Sequence, residues 1–349
     1  GPTFFDYDND GLLDIYLVNG RWRSDVNDNR GRPLRGKLAN ALFENKGDGT
    51  FEDVTESAGV AGEGFGFSSS GADFDDDGDL DLYVCNYGPN ELYRNNGDGT
   101  FTDISEGSGL ADTRWSLSAP WVDFDGDGDL DVYVANYLEY DAGKFRSYYA
   151  AAGYPGPLSY SGQQDGMYRN NGDGTFTDVT KEAGVVNANG RAMSAVAADI
   201  DNDGLLDIYV ANDAMENYYY RSSGKGTFVS DGLLRGLAFG QSGQGVSSMG
   251  PATGDVDRDG FLDILIPDMD YQPKFLPQSE NTLFADGRAM RPPVSGTVAR
   301  GELRDDEHLE LGRVDGDWAT AIPETALEKT GSWEALVARG RERFDIYCA

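Results

Sequence analysis

The chain has 349 residues, 39% hydrophobic and 12% aromatic, enough to bury a sizeable core, with 47 glycines to serve many turns. Its net charge of -33 argues against binding nucleic acid through phosphates, and two cysteines are too few for a disulfide framework. No run approaches the ~18 consecutive apolar residues that a membrane-spanning helix needs.

The first element along the chain is an acidic loop, DYDNDGLLD from Asp6, and its form Asp-x-Asp-x-Asp-Gly-x-x-Asp returns four times. The later copies are DFDDDGDLD from Asp73, DFDGDGDLD from Asp123, DIDNDGLLD from Asp199 and DVDRDGFLD from Asp255. Calcium takes six to eight oxygens in flexible geometry, and alternate carboxylates on a tight loop can supply them. Positions one, three and five are Asp6, Asp8 and Asp10; Asp73, Asp75 and Asp77; Asp123, Asp125 and Asp127; Asp199, Asp201 and Asp203; Asp255, Asp257 and Asp259. Glycine at position six permits the sharp turn, and position seven is expected to offer a main-chain carbonyl, from Leu12, Asp79, Asp129, Leu205 and Phe261. An EF-hand closes its loop with Glu at position twelve, where this chain has Leu17, Val84, Val134, Val210 and Ile266. The closing ligand therefore falls to position nine: Asp14, Asp81, Asp131, Asp207 and Asp263.

Each ladder runs into a strand, as in DIYLVN, DLYVCN, DVYVAN and DIYVAN, with no helical spacing. These strands are apolar without alternation, so both faces must be covered. Between ladders stands a second phrase, LFENKGDGTF, LYRNNGDGTF, MYRNNGDGTF and the degraded YYRSSGKGTF, placing Phe51, Phe101, Phe176 and Phe228 at intervals of 50, 75 and 52. Each unit then holds an approach strand, the ladder, the post-loop strand, an LYRNN strand, a Gly-Asp-Gly turn and a TFTDV strand. Four strands in about 50 residues is the size of a propeller blade. The expected fold is all-β, a β-propeller of four-stranded blades with five calcium-loop repeats, an incomplete seven-bladed ring being one form of it. A parallel β-helix needs a nonapeptide period that is absent, and a β-sandwich explains the repeats less well. Gly1 stands in the middle of a repeat with its approach strand expected to be missing, so the chain reads as a fragment or trimmed product, and no signal peptide is visible.

Five calcium ions would bring the charge of -33 only to -23, and without metal the crowded carboxylates should repel one another. Sites of ~0.1 mM affinity would each add roughly 1.4 kcal/mol at ~1 mM calcium, a level met outside the cytosol. An extracellular or periplasmic location follows.

Two insertions, Arg21 to Lys37 and Glu139 to Gly162, account for the long intervals and are the candidate partner contacts. In the second, Tyr148, Tyr149, Tyr154 and Tyr160 could stack on a sugar. Cys85 reads as a small core residue and His308, the one histidine, as a solvated polar residue. After about residue 267 the repeats stop: 268–323 reads as an extended Pro/Gly-rich arm and 324–349 as a tail with an amphipathic helix from about Ser332.

The ladder, the phrase LYRNNGDGTFTD, which closes as MYRNNGDGTFTDVT in its third copy, and the SMG before the fifth ladder resemble FG-GAP or VCBS repeats of the kind found with ASPIC/UnbV domains, over residues 1–267. That resemblance implies a calcium-bearing propeller in secreted or surface proteins that mediate adhesion or recognition, with a protein or carbohydrate ligand at the cell surface. The tail, through RPPVSGTVARGEL, VDGDW and LVARGRERFDIYCA, resembles the N-terminal part of the monohaem cytochrome c subunit of alternative complex III. It implies that Cys348 opens a CxxCH haem-attachment motif, that haem c is held only if the chain continues beyond Ala349, and that the arm contacts a membrane complex. Three functions compete: a non-enzymatic calcium-binding recognition scaffold, which is favoured; an electron-transfer subunit fused to a propeller; and a polysaccharide-active propeller enzyme. No serine-nucleophile motif, phosphate loop or zinc signature is present.

Overall fold

A computed structural model describes residues 1–20, 39–140, 156–187, 189–240, 243–266, 313–314, 317–318 and 332. The chain divides into two compact units, Gly1–Gln272 and Pro273–Ala349.

In the first unit, each repeat folds into an antiparallel meander. The first sheet is β1 (Pro2–Phe5), β2 (Asp14–Leu17), β3 (Ala41–Asn45) and β4 (Phe51–Asp53); the second is β5 (Gly66–Ala72), β6 (Asp81–Asn86), β7 (Glu91–Asn95) and β8 (Phe101–Asp103). The third is β9 (Ser116–Ser118), β10 (Trp121–Val122), β11 (Asp131–Asn136), β12 (Gly166–Asn170) and β13 (Phe176–Asp178). Its approach strand is split at Pro120, which has no N–H to give the ladder. The fourth is β14 (Ala192–Ala198), β15 (Asp207–Asn212), β16 (Tyr218–Ser222) and β17 (Phe228–Ser230), and a fifth repeat contributes the pair β18 (Ala252–Gly254) and β19 (Asp263–Leu265). This is the four-stranded blade of a β-propeller, with the aspartate loop joining its first two strands. The approach strand expected to be missing from the first repeat is present: Pro2–Phe5 pairs with Asp14–Leu17 in register.

The blades meet along their first strands, β1 against β5, β5 against β9, and β9 against β14. Small side chains make that approach possible, as in GFSSSGA and AMSAVAA. Hydroxyls serve the contacts: Thr3 Oγ1 donates to the Ser69 carbonyl (2.8 Å), and Ser68 Oγ to the Leu117 carbonyl (2.7 Å).

The core lies between blades. Leu82 and Val84 of β6 pack with Tyr16 and Leu42 of the first sheet, while Tyr83 and Cys85, on the other face of β6, pack with Val132 and Val134 of the third. Every residue of β6, β11 and β15 is buried, which is why these strands read as apolar without alternation. Burying each Leu, Ile or Val contributes about 1.5–3 kcal/mol. Cys85 is a buried core thiol, as expected, and burial pushes its pKa up to about 12. In the first, second and fourth sheets a tyrosine two residues past position nine ties the sheet to the segment that leads to the next blade. Tyr16, Tyr83 and Tyr209 donate to the carbonyls of Val60, Leu110 and Leu237.

In the second unit the described residues include one two-residue pairing, β20 (Arg313–Val314) with β21 (Asp317–Trp318), in the VDGDW segment. Ser332 is exposed, while the helix expected beyond it, His308, most of the arm and Cys348 lie outside the described residues. No helix among the described residues is long and apolar enough to cross a membrane.

Candidate metal loops

All five ladders adopt one backbone path. Position four takes positive φ each time: Asn9 (58°), Asp76 (57°), Gly126 (79°), Asn202 (60°) and Arg258 (65°). Position six does likewise, always as glycine, from 86° at Gly11 to 101° at Gly128. Asn, Asp and Gly tolerate this region and Arg does not, so the fifth loop carries local strain. Sequence reading found the glycine and missed position four, although its preference for Asn, Asp or Gly was visible.

Position one caps its own loop. Asp6 accepts the N–H of Asp10 at Oδ1 (3.1 Å) and of Gly11 at Oδ2 (2.9 Å), and Asp73, Asp199 and Asp255 do the same. Position five accepts the N–H of position seven, as in Asp10 Oδ1 from Leu12 (2.8 Å) and Asp203 Oδ1 from Leu205 (3.0 Å). Position seven is held to the loop by this N–H, and in the second loop the Asp79 carboxylate also accepts Asn9 Nδ2 from the first (2.7 Å).

Position nine behaves differently from the rest. Asp14, Asp81, Asp131 and Asp207 are buried. In the second loop, Oδ2 of Asp81 accepts the N–H of Phe74 (3.1 Å) and Oδ1 accepts the N–H of Asn95 (2.8 Å). Asp14, Asp131 and Asp207 repeat the pattern with Asn45, Asn170 and Ser222. Each carboxylate therefore pins its loop to the third strand of its own blade, and Asp263 keeps the first half of the pattern, accepting from Val256 N–H (2.9 Å). Desolvation by burial, followed by the neighbouring loop carboxylates, pushes Asp81 and Asp131 up to about 7. It also raises Asp8, Asp75 and Asp125 at position three.

Ligand-capable carboxylate oxygens lie within 4.8 Å of one another in every loop: Asp6, Asp8 and Asp10; Asp73, Asp75 and Asp81; Asp123, Asp125 and Asp127; Asp199, Asp201 and Asp203; Asp255, Asp257 and Asp259. Oδ1 of Asp125 and Oδ1 of Asp201 are buried with no hydrogen-bonding partner. Such oxygens are costly unless a cation or water meets them, so this donor set fits a hard divalent cation. In the fourth loop a resident cation already stands close: Arg235 Nη2 lies 3.2 Å from Asp201 Oδ2.

Of the proposed partner contacts, Tyr160 is buried with its ring 5.3 Å from that of Tyr140, so it offers no free face for sugar stacking. Tyr148, Tyr149, Tyr154 and the Arg21 to Lys37 insertion lie outside the described residues.

Among the solved structures that resemble this chain are a recognition protein and a matrix protein. One is a lectin of Agrocybe aegerita that recognises non-reducing terminal N-acetylglucosamine, at 17% identity and TM-score 0.38, covering 76% of this chain and 60% of that one. The other is the V. cholerae biofilm matrix protein Bap1, at 13% identity and TM-score 0.39, covering 76% of this chain and 34% of that one. The chain thus spans less than two thirds of either protein. No curated protein matches it. The family model for the FG-GAP-like repeat matches residues 6–84, 73–134, 156–210 and 199–266, so this chain belongs to the FG-GAP-like repeat family.

Proposed function

We propose that this protein is a calcium-stabilised recognition or adhesion scaffold, non-enzymatic, working in an extracellular or periplasmic compartment on a protein or carbohydrate ligand. The observation that carries the calcium reading is the pair of buried, unpartnered oxygens at Asp125 and Asp201, set in loops whose carboxylates converge within 4.8 Å. Asp at positions one, three and five, with Asp81 in the second loop, would hold the ion, and the ion supplies positive charge that offsets the mutual repulsion of these groups. The chain's own part is to hold the carboxylates in place through backbone N–H groups. Membership of a repeat family built on stacked blades supports a scaffold role, because rigid blades present loops at both ends of their strands.

Calorimetric titration of the chelator-treated chain with calcium, beside thermal melts with and without the ion, tests the reading. The expected result is about five ions bound and a melting temperature that rises with calcium. No binding heat together with an unchanged melt overturns it. Incubation with neutral and acidic polysaccharides in calcium is expected to release no new reducing or unsaturated ends.

A further inference from the structure

The ends of the strands opposite the aspartate loops carry a different chemistry. In the second blade, the segment entering β5, the β6–β7 connection and the turn after β8 enclose a cavity of about 760 Å³. That lies within the roughly 300–1,000 Å³ of small-ligand sites. Phe65 and Tyr87 give it aromatic walls, and Glu63, Glu91, Asp103 and Glu106 give it four carboxylates. Among the described residues its lining has no lysine, arginine or histidine.

The repeats offer an internal comparison. The residue that pairs with Val84 is Glu91, and the corresponding positions in the first, third and fourth blades are Ala41, Gly166 and Tyr218. The blade does not need a carboxylate there. Glu91 is nevertheless held firmly: Oε1 accepts the N–H groups of Glu63 (2.7 Å) and Gly64 (3.1 Å), while Oε2 is buried with no hydrogen-bonding partner. The walls are braced too, Phe65 stacking on Phe67 at 5.3 Å and Tyr87 meeting Trp115 edge-on at 5.2 Å. Two half-buried aromatic rings lining one cavity with four carboxylates and no basic group are complementary to an organic cation, since the ring faces and the carboxylates both attract positive charge. The net charge of -33 steers such ligands toward the surface.

We propose that this cavity binds an alkylammonium or guanidinium group, carried by a basic peptide side chain or by a free polyamine; the proposal rests on the recognition reading above. The test titrates the full chain, in excess calcium and ~0.15 M salt, with acetylated tri-lysine amide, acetylated tri-arginine amide, spermidine and, as control, acetylated tri-alanine amide. The expected result is saturable one-to-one binding of at least one cation, weakened about tenfold or more in Glu91→Gln and several-fold in Phe65→Leu. Glu91→Gln retains the Oε1 acceptor, and an unchanged calcium-dependent melt in that variant shows that the fold and the metal reading stand apart from this site. Binding of a peptide without spermidine assigns the peptide source, and the reverse assigns the free amine. Failure of every cation to bind, equal binding by Glu91→Gln, or equal binding of tri-alanine overturns the proposal.

Discussion

Asn95 Nδ2 donates to the main-chain carbonyl of Tyr7 at 2.7 Å, across 88 residues of sequence. The same amide donates to the Leu80 carbonyl (3.0 Å), so one asparagine of the second blade holds the aspartate loop of its own blade and that of the blade before it. Asn170 repeats the relation one blade on, donating to Phe74 and Leu130. In the fourth blade the position is Ser222, too short to reach back, which is the structural meaning of the degraded phrase YYRSSGKGTF.

Asn95→Ala removes both donated bonds and leaves one buried and one part-buried carbonyl without them, so it is expected to cost roughly 2–3 kcal/mol. Denaturant unfolding in excess calcium measures this. A loss under about 0.5 kcal/mol would show that the cross-blade amide does not hold the blades together.

Arg258 stands at φ 65°, where the first and fourth loops have Asn9 and Asn202. Arg258→Gly removes the Cβ that crowds the left-handed region and Arg258→Asn brings a side chain that tolerates it, so both are expected to stabilise the fifth loop by about 1 kcal/mol. Local hydrogen exchange of residues 255–263 reads the effect, with slower exchange expected in both variants.

The fourth loop contains its own competitor. With Arg235 Nη2 3.2 Å from Asp201 Oδ2 on the protein surface, Arg235→Ala is expected to raise that loop's calcium affinity roughly two- to fivefold, the worth of one exposed ion pair. Calorimetry on variants in which Asp201→Asn silences the loop identifies its contribution, and equal affinity with and without Arg235 would count against competition.

Asp165 is fully buried at the place where the first, second and fourth blades have Asn40, Asn90 and Asn217; each accepts the backbone N–H at the end of the second strand. Desolvation raises its pKa to about 6, opposed by hydrogen bonds from the Asn136 N–H, the Tyr133 hydroxyl and Asn187, and by the charge of Arg114. A raised carboxylate pKa stabilises the fold below the unfolded value near 3.8, and that contribution is lost as pH rises through about 6. Asp165→Asn removes the titrating group, so between about pH 4 and 7.5 the parent is expected to lose roughly 2–3 kcal/mol more than the variant, whose amide cannot accept from all three of these donors. Parallel unfolding curves for the two proteins across that range would contradict it.

The strands, the Gly-Asp-Gly turns and the five loops were legible in the sequence because each is specified locally. Carboxylates alternate within nine residues, glycine supplies positive φ at a set position, and apolar runs such as DLYVCN need two covered faces wherever they sit. The first approach strand was missed because PTFF is four residues long and carries no pattern of its own until β2 pairs with it. The double duty of Asp14, Asp81, Asp131 and Asp207 was hidden too, since their partners in the third strand arrive 14 to 39 residues later.

By itself, then, the sequence determined what each repeat is and which carboxylates its loop gathers, since backbone conformation within nine residues is set by near neighbours. Only the tertiary structure decided that Asn95 and Asn170 couple successive loops, that Asp165 is a carboxylate in a dry amide site, and that Glu91 lines one cavity with two aromatic rings at the far ends of the strands. Those relations depend on which blade packs against which, and hydrogen bonding and desolvation across such interfaces leave no periodic trace along the chain.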